Sequence, residues 1–440
     1  MSQEGGQRLR QAQRRHLAGE TAGAEADYRA LLADAAIGVA ARHWLGFLLL
    51  QQGRLEEARR ELAQAVAMDG GHAEWHFNLG LACARLGRRD EAIAALRAAV
   101  AGDGGRYAYW TNLAALLDEA GDDAEAEHAC RRAIALEPGS PDAHHLLTAL
   151  LLRQGRFDEA RRSNAEGVLA EPPGKMAPIA VGQALCELGR RDEAQALAES
   201  WLRQQPGHPV ALHMLAAFGK GEPPLVCDGA YVGRAFDAAA ADFEAALARL
   251  RYRGPQWLAD CLAGQGIAPR SLSALDLGCG TGLAGAALRP YASRLDGVDL
   301  SAGMLAQARG KALYDALSQA DLLDFLRDGG DCRYQLIACM DTLTYLGELA
   351  PLFGLLRRRQ APGGLLLFCT ERLDDGDDAD YRLHHSGRYR HHARYLERLL
   401  ADGWRVLARE RLPVRDEGGC PVAGEFICAQ RVDSVGEPGA

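Results

Sequence analysis

The stretch "EWHFNLGLACARLGRRDEAIAALRAAVAGD", Glu74–Asp103, holds two runs of helically spaced apolar residues separated by Gly87. Gly87 ends the first run, and Asp90 and Glu91 fall in the first turn of the second, where acids favour a helix start. The spacing therefore predicts two helices folded back on each other. The same unit recurs on either side: Gly19, Gly53, Gly87, Gly121, Gly155 and Gly189 each stand 34 residues after the last. Five residues beyond each glycine is an alanine (Ala24, Ala58, Ala92, Ala126, Ala160, Ala194), and seven before it a small residue (Ala12, Gly46, Gly80, Ala114, Thr148, Gly182). Pro138, Pro172 and Pro206 close the later units. Small residues at a fixed register let paired helices cross closely. Units that cannot bury their apolar faces alone must stack into a solenoid.

This pattern resembles the tetratricopeptide repeat over residues 5–208, and Val210–Phe218 reads as one further half-repeat. Leu212, Leu215 and Phe218 fall where they would cover the open end of repeat six, so an all-α solenoid is expected over residues 5–218. Trp201, in place of a small residue, and Gly167 depart from the pattern. The resemblance implies a protein or peptide partner on the concave face of the first helices. Trp44, Asn78 and Asn112 occupy the sixth position of their repeats, with Phe77 beside Asn78. This set is the expected partner groove, its ligand an internal or amphipathic segment. The alternatives are a bare solenoid, or a groove filled by the second domain or by another copy of the chain.

At Gly219 the period stops. "GKGEPPLVCDGA", residues 219–230, carries three glycines and two prolines and reads as a linker. An amphipathic stretch from Tyr231 to Leu250 and a helix in "YRGPQWLADCLAGQG" follow. Strands then alternate with helices: Ser273–Leu277, Leu295–Val298, Tyr334–Ala338 and Gly364–Cys369 are apolar strands, with helices at Leu283–Arg289 and Ala302–Lys311. That order predicts a mostly parallel sheet covered on both faces over residues 231–431, closed by an antiparallel hairpin of Arg405–Leu412 and Val422–Ala429.

"ALDLGCGTGL", Ala274–Leu283, is a strand, a glycine turn (Gly278, Gly280, Gly282) and a helix start, with Asp276 inside the strand. Such turns let a ligand touch backbone at the carboxyl ends of strands, and the helix start favours a negative group. The glycine spacing is G-x-G-x-G, whereas the dinucleotide fingerprint is G-x-G-x-x-G. Asp299 ends the second strand, where an acid can accept hydrogen bonds from both hydroxyls of a ribose.

This set resembles class I S-adenosylmethionine-dependent methyltransferases, a Rossmann-like fold, and the whole chain is similar to bacterial methyltransferases with N-terminal tetratricopeptide repeats. The resemblance implies that Asp276, Gly278, Gly280, Gly282, Asp299, Asp321 (in "QADLLDFL") and Met340 (in "YQLIACMDTLTYLGEL") bind S-adenosylmethionine. Asp321 can equally cap the helix after it, and Asp341 is either a helix cap or a substrate contact. Cys279 reads as a small apolar residue. "YRLHHSGRYRHHARY", Tyr381–Tyr395, is expected to form a lid over the substrate. Its Arg388 would pair with a substrate carboxylate or phosphate, Tyr389 would contact substrate, and His384, His385, His391 and His392 are candidate bases. The family's Arg-Tyr-x-His pattern maps onto Arg388, Tyr389 and His391 and so singles out His391. Four histidines within nine residues also fit a metal site in principle, but without cysteines none is assigned. The helix "FDAAAADFEAAL", Phe236–Leu247, lacks the Tyr and His that relatives carry there.

Of 440 residues, 48% are apolar and 25% charged, and 50 basic against 59 acidic residues leave a net charge of −9. That excludes a global basic footprint for nucleic acid. No apolar run reaches the roughly 18 residues of a spanning helix, and the first residues are polar and Arg-rich. The eleven cysteines contain no C-x-x-C pair, which argues for reduced thiols. A cytoplasmic chain is expected. Three functions follow: methyl transfer to an unidentified acceptor with the repeats recruiting a partner, a non-catalytic S-adenosylmethionine-binding scaffold, or a nicotinamide-dependent oxidoreductase, which the glycine spacing disfavours.

Overall fold

The structure, a computed structural model, describes residues 3–229, 232–233, 236–237, 240–330 and 332–432. The chain divides into two compact units, Met1–Lys175 and Met176–Ala440. Ala230, Tyr231 and several residues of the expected helix Tyr231–Leu250 lie outside the described residues; the described part includes a helix over Phe243–Arg249.

The first unit is five helical hairpins: α1 (Gln3–Leu17) and α2 (Thr21–Leu31), α3 (Gly38–Gln51) and α4 (Leu55–Met68), α5 (Ala73–Arg85) and α6 (Arg89–Gly102), α7 (Tyr107–Ala120) and α8 (Asp123–Leu136), α9 (Pro141–Arg153) and α10 (Phe157–Ala170). The turn glycines of the period have φ between +72° and +81° in this unit, a conformation that costs glycine little and other residues more. The small residue seven positions earlier sets how close the two helices come. A Cβ at Gly46 would lie 2.6 Å from Leu62 Cγ, and one at Gly80 would lie 2.8 Å from Leu96 Cγ. Where the period puts Ala114 at this position, its counterpart opposite is Cys130, smaller than leucine. Tyr28, Leu45, Leu48, Leu49 and Leu62 form a core continuous across the first hairpins. Arginines after the turn glycines clasp neighbouring repeats: Arg54 bonds Glu57 and Glu25, Arg88 bonds Glu91 and Glu56, and Arg156 bonds Glu159 and Glu127. Half of these bonds are exposed and half partly buried at the surface, so each contributes little beside the packing.

The second unit opens with α11 (Pro178–Glu187), α12 (Arg191–Gln204) and α13 (Pro209–Ala217). Repeat six and the half-repeat therefore group with the second unit, where the sequence placed the boundary at residues 219–230. Phe218 does cover repeat six, its ring against the place a Gly182 side chain would take. Leu212 does not: it is 51% exposed, and Ala211, His213 and Met214 face inward instead.

The sheet runs β3–β2–β1–β4–β5–β10–β8, from β1 (Leu272–Leu277), β2 (Ala292–Asp299), β3 (Ala316–Gln319), β4 (Tyr334–Cys339), β5 (Gln360–Arg372), β8 (Trp404–Glu410) and β10 (Cys420–Arg431). β1 to β5 pair in parallel, and β10 is antiparallel to both β5 and β8. β9 (Pro413–Glu417) pairs with the start of β10, and the short β6 (Tyr381–Leu383) and β7 (Tyr389–His391) form a hairpin whose β7 adds to the end of β5. The apolar runs bury both faces by strict alternation. Leu275, Ile337, Leu366 and Phe368 point to one core, and Ala274, Leu336, Ala338 and Leu367 to the other, under the helix Gly254–Ala263. Asp276 shares parity with Ala274 and so faces the second core.

The crossing geometry makes a test. Gly80→Ala should destabilise the first unit by about 1–3 kcal/mol through overpacking on Leu96. With Leu96→Cys added, the double variant should be more stable than the two single losses combined, as repeat four's Ala114 and Cys130 imply. Strictly additive losses in chemical denaturation would show that the crossing does not set this pairing.

Candidate functional site

In the second unit the carboxyl ends of β1, β2 and β4 open onto a cavity whose empty space, mouth included, is about 1200 Å³. It lies where strand order reverses between β1 and β4, the usual ligand crevice of such sheets. The ends of β1 to β3 and the turns after them line one part with Asp276, Gly278, Gly280, Asp299, Leu300 and Asp321, and the segments after β4 and β6 line the other with Met340, Asp341, Thr342, Tyr345 and Arg388, Thr342 meeting Gly278 where the two parts join.

The glycine turn is shaped by what it meets. Gly278 has φ +78°, and a Cβ there would run into Thr342, whose hydroxyl donates to the Met340 carbonyl at 3.1 Å. A Cβ at Gly280, φ +54°, would meet nothing within 4 Å, so that side of the backbone is open space in the cavity wall. Gly282 is not part of the lining. It precedes the helix Leu283–Leu288 and has φ +87°, and a Cβ there would come to 3.0 Å from the Tyr314 ring.

Tyr314 escapes sequence reading altogether. Its hydroxyl donates to Asp276 Oδ2 at 2.6 Å. Burial pushes the Asp276 carboxyl up to about 7, with the Tyr314 bond opposing and the charge of Asp299 adding to the rise. Asp299 Oδ2 accepts the Gly280 N–H at 2.8 Å and Oδ1 the Ser301 N–H at 2.9 Å. The bonds orient the carboxylate at the cavity wall and leave each oxygen a further lone pair. Burial raises its pKa, with those backbone donors working against the rise. Asp321 both caps and lines: Oδ1 accepts from Leu323 N–H at 2.8 Å and Asp324 N–H at 3.3 Å.

In the other part Asp341 holds a backbone φ of +55°, a costly conformation for a non-glycine residue. Its Oδ1 accepts from Arg415 Nη1 at 2.8 Å. Arg415 is 1% exposed and bonds Glu371 and Glu417 as well. Arg388 donates to Glu417 through Nη1 and to the Tyr345 hydroxyl through Nε at 3.3 Å. Its charge is thus already matched by an acid of the protein, which sequence reading did not foresee.

His391 is brought elsewhere. It is fully buried and absent from the cavity lining. Its Nε2 contacts the Leu346 and Gly347 carbonyls at 2.9 and 3.1 Å, so Nε2 carries the proton, and Nδ1 accepts the Thr370 hydroxyl at 2.6 Å. Burial drives its pKa to about 4, despite the two carbonyls. A histidine with both nitrogens engaged inside the core has no acceptor to deprotonate, which corrects the expectation of a base. Tyr389 is likewise buried, its hydroxyl on the Pro224 carbonyl, and does not reach the cavity. The expected lid is the β6–β7 hairpin with the start of the helix Ala393–Ala401. His384 and His385 sit in its turn, and His392 caps that helix. Among the described residues no group of three or more His, Cys, Asp or Glu side chains is arranged to hold a metal ion.

The four expected groove residues separate in the same way. Asn78 is buried and donates to His43 Nε2 at 3.0 Å, so its amide is committed inside the first unit. Asn112 donates back to the Ala108 carbonyl of its own helix at 2.8 Å. Trp44 packs edge-on against His16 and Phe47, and Phe77 stacks on Tyr109, both half-buried. No helix of the described residues is long and apolar enough to cross a membrane.

Comparison with known proteins agrees with both halves. Tetratricopeptide repeat models match residues 46–107, 85–144 and 119–177, and a methyltransferase domain model matches residues 274–364. Methyltransferase-like protein 27 of Homo sapiens is 44% identical over 90 residues, which are 20% of this chain and 36% of that protein. The chain therefore spans 36% of that relative's length. A crystal structure of MamA is 23% identical over 36% of this chain and 93% of its own, with a TM-score of 0.35. A structure from work on conversion of a disulfide bond into a thioacetal group during echinomycin biosynthesis is 21% identical over 40% of this chain and 81% of its own, with a TM-score of 0.32.

Asp276 supplies a pH test. Its folded pKa lies above the unfolded 3.8, so the native state holds the proton longer, and stability falls as pH rises towards about 7. Asp276→Asn removes that dependence and still accepts from Tyr314. Its stability relative to the natural protein should rise by about 3 kcal/mol from about pH 5 to about pH 8. A flat difference in urea unfolding across this range would show that Asp276 titrates as an ordinary carboxyl.

Proposed function

From a chain that joins tetratricopeptide repeats to a methyltransferase domain, we propose an S-adenosylmethionine-dependent methyltransferase whose repeats recruit a protein partner or substrate. The observation that carries the cofactor reading is the pairing of Gly280 with Asp299: an open stretch of backbone beside a carboxylate fixed by two N–H donors, on the wall of one cavity. The remaining lone pairs of Asp299 would take a ribose diol, and Leu300, Asp321 and Leu322 of the same lining would hold an adenine. Bound there, S-adenosylmethionine supplies an already activated methyl group. The protein's own work is then to orient the acceptor and exclude water.

The acceptor end falls to Asp341, Tyr345, Tyr252 and Arg388. With His391 out of reach, proton removal from an alcohol or ammonium acceptor would rest on Asp341 or on water, and an ionised acceptor would need no base. The matched Arg388–Glu417 pair argues against Arg388 as a free anchor for an anionic acceptor. In the first unit, Trp44 and Phe77 remain half-buried aromatic surface for a partner. Asn78 does not contribute.

Calorimetric titration with S-adenosylmethionine and with NAD tests the reading. The first should bind and the second should not. Asp299→Ala should weaken S-adenosylmethionine by about 2–4 kcal/mol through two lost charge-assisted hydrogen bonds, and Gly280→Val should abolish binding by filling the open side of the turn. Unchanged affinity in either variant, with folding verified by circular dichroism, would remove the assignment. Transfer of a labelled methyl group to candidate acceptors separates an enzyme from a cofactor-binding scaffold.

A further inference from the structure

Helices that belong to the repeats by sequence reach the rim of the cavity. On α13, buried His213 places Nε2 2.8 Å from the Gly387 carbonyl. On α11, Gln183 donates to the Ser386 carbonyl at 3.4 Å, and Glu187 meets His385 Nε2 at 3.0 Å. All three contacts fall on the turn between β6 and β7, and the next residue is Arg388, which lines the cavity. The chain leaving α13 returns along the same side. Leu225 accepts the Gly347 N–H at 2.8 Å, Cys227 donates its N–H to the Tyr345 carbonyl at 2.9 Å, and Pro224 accepts the Tyr389 hydroxyl. Cys227 Sγ lies 3.8 Å from His213 Nε2, which joins the two arms.

We propose that α11, α13 and the strap Pro224–Cys227 are a clamp that positions Arg388 and Tyr345 at the acceptor end of the cavity, so that the sixth repeat serves the methyltransferase site instead of recruiting a partner. The hairpin needs such support. β6 and β7 are three residues each, and β7 meets β5 at two register pairs, Glu371 with Arg390 and Arg372 with His391. A ribbon that short does not hold its own geometry in water. The clamp supplies an N–H donor to a buried turn carbonyl, whose loss would leave that carbonyl unpaired. His213 is a positioning residue: it touches Gly387, not the cavity contents. The word "acceptor" rests on the methyl-transfer reading, while the clamp itself does not.

Hydrogen exchange on the full chain, read by mass spectrometry at peptide level, tests the clamp. The variants are His213→Ala, Glu187→Ala and His213→Gln, the last able to restore an N–H donor. His213→Ala should speed exchange in peptides covering 381–391 by about tenfold and open Cys227 to alkylation, with β1 to β4 unchanged. Glu187→Ala should act in the same place more weakly, and His213→Gln should restore the natural pattern. Unchanged exchange at 381–391 in both alanine variants overturns the proposal, as does an increase spread evenly over the sheet. Should His213→Ala fail to fold, Glu187→Ala decides alone by the same two criteria. S-adenosylmethionine titration of the natural protein stands apart: no binding together with a local exchange effect removes the cofactor reading and leaves the clamp.

Discussion

A guanidinium that is 1% exposed has to be neutralised on the spot, and Arg415 is that group. It sits on β9 and bonds Asp341 beyond β4, Glu371 on β5 and Glu417 at the end of its own strand. Breaking its pair with Glu371, also 1% exposed, would leave charge uncompensated in the interior, at a cost of about 3–5 kcal/mol by analogy with other buried pairs. Arg388 reaches the same cluster through Glu417, and Arg390 faces Glu371 at 3.6 Å. One buried charge thus ties together the ends of four strands and, through Asp341 and Arg388, one part of the cavity. The strained φ of Asp341 is tolerated because Arg415 holds its side chain.

The two parts of the cavity are built in different ways. The glycine turn, Asp276, Asp299 and Asp321 all sit on strand ends or on the turns immediately after them, and their bonds are largely to nearby backbone. The other part draws on residues from Tyr252 to Glu417 and on the strap before the domain. Its geometry is a product of packing: the His391 ring spans Thr370 and the Leu346–Gly347 carbonyls, and the hairpin turn rests on α11 and α13. A histidine used in this way serves as a neutral strut, which its lowered pKa suits.

Repeat architecture and site are likewise less separate than the period implies. The register that makes Gly182 the small crossing residue of repeat six also receives Phe218, and the chain after Phe218 becomes a wall of the cavity at Val226 and Cys227. The proline- and glycine-rich composition of residues 219–230 marks an irregular path, but not an unattached one. Backbone pairing of Leu225 and Cys227 with Tyr345 and Gly347 needs no side-chain signature, so it leaves no trace in composition.

Features that depend on local spacing were legible in the order of the amino acids. The 34-residue period appears as stacked helical hairpins, the apolar runs as two-faced strands, and Asp276, Gly278, Gly280, Asp299 and Asp321 line one cavity because strand ends and the turns after them carry their side chains to a place set by the strand order. The pairing of residues far apart in the chain was legible only once the chain was folded. Tyr314 on Asp276, Arg415 on Asp341, Asn78 on His43 and His391 on Leu346 join groups 35 to 74 positions apart. A histidine or asparagine in a motif has the same appearance in sequence whether its nitrogen faces a cavity or a buried carbonyl. Only the surrounding chain settles that, because an unpaired polar group in the interior is so costly that packing must find it a partner first.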